Sequence, residues 1–587
     1  MKKHHIYRSK LILTIMLASL VAPGLLNFSR NDLSLANSFS WSDEVNLFRA
    51  SEHASVLYQS DGAIRARNAT AEETLLIADR DAAGPLQTIS SYAPTAQTGL
   101  RIMLRATSQL ESNPQAKAAF IRAASLWESL VRTPMTIILD IDYGPTCFGA
   151  QVESDVIGFT NPQLLIGDPI YLRFLSKLLD NASTEHELGL YYSMPQPTLP
   201  TDQGETSAII SPSPVFRALG LIDRYADAAP DPPFFGPPPA IWLNSTLPYD
   251  FDYSDGIDED KYDFDAVLSR ELGRVLGFYS AVGRLEVDPD AVLAASAWDV
   301  FRLPPNTSIE SFSMMARILE SGGNHFFFMG DDDLPLSTGR PDSSGGDGRA
   351  ASHWKDDLIL GTRIGIMDPT IPLGKRQTVT LNDVEALDLF GYALRVIGNA
   401  KPAINSLAAD LNGDVLTLSG SLTDADGDVV QAQLTFLDGK DRVVGQSAPF
   451  PADFGILPAQ LFSFDFPGMS SLPAVEQVAL TVIDTKGNAS AALKAGFTAG
   501  DAGGPRIKSA GFKEDKLIIK GKGLKPGVQI EINGVIIDPP SGIDAAKNGK
   551  TVEIEGTTQE LNIRLGPNRI RAIRNGLRSN VFIEEVE

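Results

Sequence analysis

The sequence predicts a multidomain protein: one α+β unit followed by two all-β sandwiches. Three observations predict it. Between residues 98 and 398, stretches with helical spacing alternate with buried-strand runs. After Gly398-Asn399-Ala400-Lys401-Pro402 the pattern changes to short alternating runs punctuated by turns. Near residue 500 the charge changes sign. Residues 505–587 carry 14 Lys and Arg against 11 Asp and Glu, in a 587-residue chain with a formal net charge of −23. Such a shift marks a separate module.

The elements follow in order. Lys2, Lys3, Arg8 and Lys10 precede an apolar run from Leu11 to about Leu26, and Ser34-Leu35-Ala36 offers small residues for cleavage. Residues 1–36 are therefore expected to be a signal peptide, with an uncleaved anchor as the alternative. Residues 37–97 lack clear periodicity and are expected to be a lead or propeptide-like segment. Residues 98–398 form the α+β unit. Gly99 to Leu104 predicts a strand. Ala118, Phe120, Ile121, Ala124, Trp127 and Leu130 predict a helix from Pro114 to Leu130, and Met135 to Tyr143 predicts a buried strand.

Proline-rich residues 195–248 are expected to be surface loop. A helix begins near Asp263 or Asp265, whose carboxylates suit its dipole, and Gly277 is placed to close it. A long polar insert then leads to Ser352-His353-Trp354 and Gly365-Ile366-Met367-Asp368-Pro369. A last helix is expected from Leu381 to about Val396. Residues 399–500 and 501–587 are the two sandwiches. Strands are expected at Val415–Gly420, Val478–Asp484, Lys516–Lys520, Gln529–Ile532 and Val581–Ile583.

Composition bounds the function. The 43% hydrophobic content supports real cores. The acidic balance argues against nucleic acid as a partner. No apolar stretch after the leader reaches membrane-spanning length, so a secreted or extracytoplasmic protein is expected. Cys147 is the single cysteine, which rules out an intrachain disulfide.

The chemistry-bearing segment is Arg270-Glu271-Leu272-Gly273-Arg274-Val275-Leu276-Gly277-Phe278. It has the frame His-Glu-x-x-His-x-x-Gly with arginine at both histidine positions. In that frame residues i and i+4 share one helix face and two imidazoles reach one zinc. An arginine stays protonated and offers no lone pair. With Ser352-His353-Trp354 and Gly365-Ile366-Met367-Asp368-Pro369 following in order, the unit resembles the zincin metalloproteases. It is nearest to leishmanolysin-like metzincins with a long insert before the third ligand. That resemblance implies Glu271 as general base, His353 as third zinc ligand and Met367 as the methionine turn. The compact version of the pattern wants a histidine at Ser280. Arg270 and Arg274 stand at the first two ligand positions and leave Glu271 and His353 as two donors, where a catalytic zinc needs three protein ligands. Apart from His353, the histidines after the leader are His53, His186 and His325, and none completes the set. The two arginines are expected either to neutralise Glu271 and nearby acids or, with His353, to bind a carboxylate or phosphate.

Two acidic stretches offer hard oxygen ligands. Asp250, Asp252, Asp255 and Asp258 lie on one loop, and Asp424, Asp426 and Asp428 on a turn. Both suit calcium, and a solvated loop or plain hairpin turn equally. Residues 501–587 resemble an IPT/TIG-type immunoglobulin-like domain, through Leu517 to Leu524, Val528 to Gly534 and Asn568-Arg569-Ile570-Arg571. The expected whole is a zincin-like (metzincin) α+β domain with two immunoglobulin-like sandwiches: a secreted pseudoprotease that binds a protein, peptide or surface ligand. No cofactor is expected, with zinc only if the site works and calcium as the other candidate. The alternatives are an active zinc endopeptidase with a non-standard ligand set and a surface adhesin acting through its β-modules.

Overall fold

Met135–Gly144 is buried along all 10 residues, as a strand covered on both faces must be. In the computed structural model it lies within an eight-stranded sheet. The model describes residues 46–586 apart from 51–53, 61, 71, 75–83, 90–98, 154, 226–234, 253–255, 331–332, 340–344, 396–399, 413, 453, 457–458, 473–474 and 498–503. The expected signal peptide and His53 lie outside the described residues.

The sheet runs in the order Thr370–Pro372, Ala63–Asn68, Ser55–Ser60, Val156–Asn161, Ala240–Asn244, Met135–Gly144, Leu100–Ala106 and Gln87–Thr88. Met135–Gly144 pairs in parallel with both of its neighbours. Pro114–Leu130 forms the expected helix. Asn113 caps it, accepting from the Ala116 amide at 3.1 Å; Ala116, Ala119, Phe120, Ala123, Ala124, Trp127 and Leu130 turn inward, whereas Ala118 faces outward.

Three expectations are corrected, and the insert gains structural detail. Within residues 37–97, expected to be a lead or propeptide-like segment without clear periodicity, Ser55–Ser60 and Ala63–Asn68 are interior strands of the main sheet. Their patterns are too short and too broken by polar residues to announce themselves. The proline-rich stretch 195–248 is not simply surface loop, because Ala208–Pro212 and Ala240–Asn244 are wholly buried strands. The insert after the central helix packs as structure of its own. His325–Phe328 pairs with Arg302–Leu303 and Asp333–Leu336, and Trp298 stacks on Phe327 with ring centroids 4.6 Å apart. The last helix stops at Leu389, where Phe390 caps it and Gly391 turns at φ +91°.

Beyond this unit stand two sandwiches with separate cores. The first sets Ala403–Asn412, Val415–Thr423 and Ala459–Phe466 against the sheet containing Val429–Leu437 and Gln477–Asp484, around Leu418, Leu434, Phe462 and Leu480. The second sets the sheet containing Lys516–Lys522 and Thr551–Glu555 against the one containing Gln529–Ile532 and Gly566–Arg574, around Leu517, Ile530 and Val552. Two buried arginines tie the sandwiches together. Arg569 donates to the carbonyls of Met469 and Leu472, and Arg571 to those of Leu411 and Phe497. The closing strand is Phe582–Val586, slightly later than expected. Among the described residues no helix is long and apolar enough to cross a membrane.

Candidate functional site

The central helix, Phe264–Leu276, starts at Asp263, whose side chain accepts from the Ala266 amide at 3.0 Å. Every residue of the helix except Asp265 is buried. A helix buried on all sides must carry its polar residues inward with their partners supplied. It ends at Gly277, φ +151°, where a Cβ would stand 2.8 Å from Phe390. Trp127 of the Pro114–Leu130 helix donates its indole N–H to the Ser269 carbonyl at 3.1 Å.

The three ordered sequence segments converge around this helix. A Cβ on Gly273 would lie 2.8 Å from Met367 Sδ, so the absent side chain lets Met367 press against the helix. The Trp354 amide donates to the Met367 carbonyl at 3.0 Å. Asp383 gathers the neighbourhood, accepting from Trp354 Nε1 at 2.8 Å and from the Ile366 amide at 2.7 Å.

The charged centre is Glu271, fully buried. Its Oε2 accepts from Thr160 Oγ1 at 2.7 Å, and its Oε1 from Arg270 Nε at 3.1 Å. Arg274 Nε approaches Oε2 at 3.9 Å, an ion pair without hydrogen-bond contact. Arg270 Nη1 also reaches the Asp368 and Pro369 carbonyls, each at 3.4 Å. Arg270 Nη2, Arg274 Nε and Nη1, and His353 Nε2 are buried without a hydrogen-bond partner among the described residues. Burial, opposed by Glu271 and reinforced by Arg270, pulls the Arg274 pKa down. His353 lies in the same field. Burial first, then Arg274 and Arg270, push its pKa far below the usual imidazole range and keep it neutral. Its Nδ1 lies 3.1 Å from the Ala350 carbonyl, which fixes the proton on that nitrogen and leaves the lone pair on Nε2.

A zinc ion does not fit these residues. The two helix positions that would present lone pairs present guanidinium cations, and the Glu271 oxygens are committed to Thr160 and Arg270. Of the described residues at these positions, His353 Nε2 alone keeps a lone pair for a metal. Ser280 donates its hydroxyl to Asp299 at 2.6 Å. His186 meets the Met329 carbonyl at 2.7 Å. His325 Nδ1 lies 2.9 Å from Arg302, and burial then Arg302 push its pKa down to about 3.

The acidic stretches separate. Asp250 accepts from the Asp252 and Asp258 amides at 3.0 and 2.9 Å, which closes the loop on itself; Asp255 lies outside the described residues. No group of three ligand atoms from this loop comes within ion-binding reach among the described residues. Asp424, Asp426 and Asp428 do come together, one oxygen each within 4.8 Å of the others. Asp424 Oδ1 and Asp428 Oδ1 are buried and accept no hydrogen bond. Oxygen donors so arranged suit calcium. A second such group, Asp356, Asp357 and Asp368, sits beside the Met367 turn. Sequence periodicity missed it because Asp356 and Asp357 open a short helix and Asp368 follows eleven residues later.

A cleft of about 360 Å³ opens between the central helix and the first sandwich, with Asp263, Arg376, Gln377, Leu422, Phe454 and Ile456 among its walls. Arg270, Glu271 and Arg274 do not line it. Burial pushes the Asp263 carboxyl up to about 6, against the pull of Arg376. The volume is within the range of small-molecule sites.

Compared with known proteins, the chain matches no family model and no curated protein. Among solved structures it is similar to the titin Ig tandem domains A164-A165, at 9% sequence identity and a TM-score of 0.14, covering 32% of this chain and 96% of that one.

Proposed function

We propose that this protein is a secreted, catalytically inactive relative of the zincin metalloproteases that works by binding rather than by hydrolysis. One observation carries the reading: the residue at the first ligand position, Arg270, forms a buried ion pair with the would-be base Glu271 at 3.1 Å. A carboxylate so paired is committed to a fixed cation, and no metal-bound water can be generated next to it. The order Arg270–Phe278, Ser352–Trp354, Gly365–Pro369 and its meeting around one helix support the zincin relationship. The sandwiches, cross-tied by Arg569 and Arg571, suit a rigid stalk or presenting arm.

Elemental analysis of the purified full chain tests the reading. Zinc well below stoichiometric, together with no peptide hydrolysis, is the expected result. Stoichiometric zinc, or hydrolysis lost in Glu271→Gln, overturns it. The double substitution Arg270→His with Arg274→His is expected to restore zinc uptake, since His353 Nε2 already points its lone pair inward.

A further inference from the structure

The charge balance around Glu271 does not close among the described residues. Arg270 and Arg274 bring two cations against the single carboxylate of Glu271. Among the described residues, Glu271 is the one carboxylate within ion-pair distance of either arginine. Burying an uncompensated charge is costly because it forfeits its solvation by water. Three donor nitrogens of the arginine pair, Arg270 Nη2 and Arg274 Nε and Nη1, also find no acceptor among the described residues. The Tyr249 hydroxyl, under the influence of Arg270 and Glu271, is a further buried group without a partner. Unmet donors and unmet positive charge on the same two side chains call for the same thing. A water would satisfy a donor and leave the charge.

We propose that the Arg270–Arg274 pair holds one small monovalent anion, of the halide class, at the positions where a zincin would hold its metal. The sign of the site is thereby inverted. Guanidinium N–H groups donate to the anion, and Glu271 keeps the two arginines apart on the helix face. A single negative charge suffices to neutralise the cluster, which selects a monovalent ion over phosphate. This rests on the reading of the centre as one that binds no zinc, and elemental analysis tests that reading separately.

The test uses the full chain and halide salts. Urea unfolding is compared in sodium chloride and sodium gluconate at equal ionic strength, gluconate being too large for a closed interior. Above saturation the unfolding constant is expected to fall about tenfold per tenfold rise in chloride, with no such dependence in gluconate. Arg274→Met, which removes one charge and its donors, is expected to abolish the difference. Crystals grown in sodium bromide and measured at the bromine edge supply a readout that needs no variant: an anomalous peak in contact with both guanidiniums is expected. Equal stability in the two salts, or no bromide peak at the arginines, overturns the proposal. A bromide peak without chloride dependence in solution marks an adventitious ion only and overturns it as well.

Discussion

Two buried clusters of charge, one on the central helix and one in the first sandwich, solve opposite problems. On the helix, two arginines crowd a single carboxylate and leave positive charge in excess. On the Asp424–Asp428 turn, three carboxylates meet, with Arg395 as the neighbouring cation. The helix fixes its side chains by burying its backbone on every side. The turn fixes its carboxylates through backbone donors: the Asp428 amide to Asp424 at 3.0 Å and the Ala400 amide to Asp426. Rigid surroundings therefore hold like charges together in both places, at a cost that a bound counter-ion lowers. The residues present decide which sign of ion each place prefers. The helix, whose frame suggests a metal, prefers an anion, whereas the turn is the place with oxygen donors to spare.

The sharpest way to break this comparison is to remove the one group that balances the helix. Glu271→Gln keeps the shape and the Thr160 contact but strands two buried guanidiniums. A loss of about 3–5 kcal/mol is expected, the usual cost of breaking a buried pair. Urea midpoints at neutral pH check it. An unchanged midpoint would show that the carboxylate does not hold the arginines. In a hydrolytic site the same change would be felt in turnover far more than in stability.

A smaller effect is expected on the turn. Burial first, then the nearness of Asp428, raises the Asp424 pKa, with the Asp428 amide pulling the other way. For an acid with a raised folded pKa, the folded state holds the proton more tightly than the unfolded state. The stability this gives is present in acid and lost as pH rises through the folded pKa. In EDTA, the wild type is therefore expected to melt lower at neutral than at mildly acidic pH. Asp424→Asn should flatten that slope and gain about 1 kcal/mol at neutral pH by removing a like charge. Calcium should raise the wild-type Tm, and do so less in Asp424→Asn. Scanning calorimetry in EDTA and in calcium decides it. If calcium leaves the wild type unmoved, the turn is a proton-sharing pair of acids rather than an ion site.

How much of this was legible in the sequence depended on the range of the signal. The Pro114–Leu130 helix and the Gln529–Ile532 strand were readable residue for residue, because local periodicity and caps determine them. The Arg270–Glu271 relation was readable because i, i+1 and i+4 on a helix are local facts. Ser55–Ser60 and Ala63–Asn68 were not, since their membership in the main sheet depends on partners about a hundred residues or more away. The Asp356–Asp357–Asp368 group and the missing counter-charge at Arg274 were hidden for the same reason. Unmet hydrogen-bond donors are a property of packing, and no spacing rule announces them.

The smallest expected effect supplies the control for the largest. Lys375 pairs with Asp465 across the junction between the α+β unit and the first sandwich, with both side chains well exposed, at 58% and 37%. Chemically it is the same kind of bond as Arg270–Glu271. In water each charge is solvated whether or not the pair forms, and salt screens what attraction remains. Lys375→Ala is therefore expected to shift the unfolding free energy by less than about 1 kcal/mol, and by still less at high salt. Urea titrations at low and high sodium gluconate check it without involving a halide. A loss as large as that in Glu271→Gln would mean that the junction, rather than burial of the helix, sets the strength of these pairs.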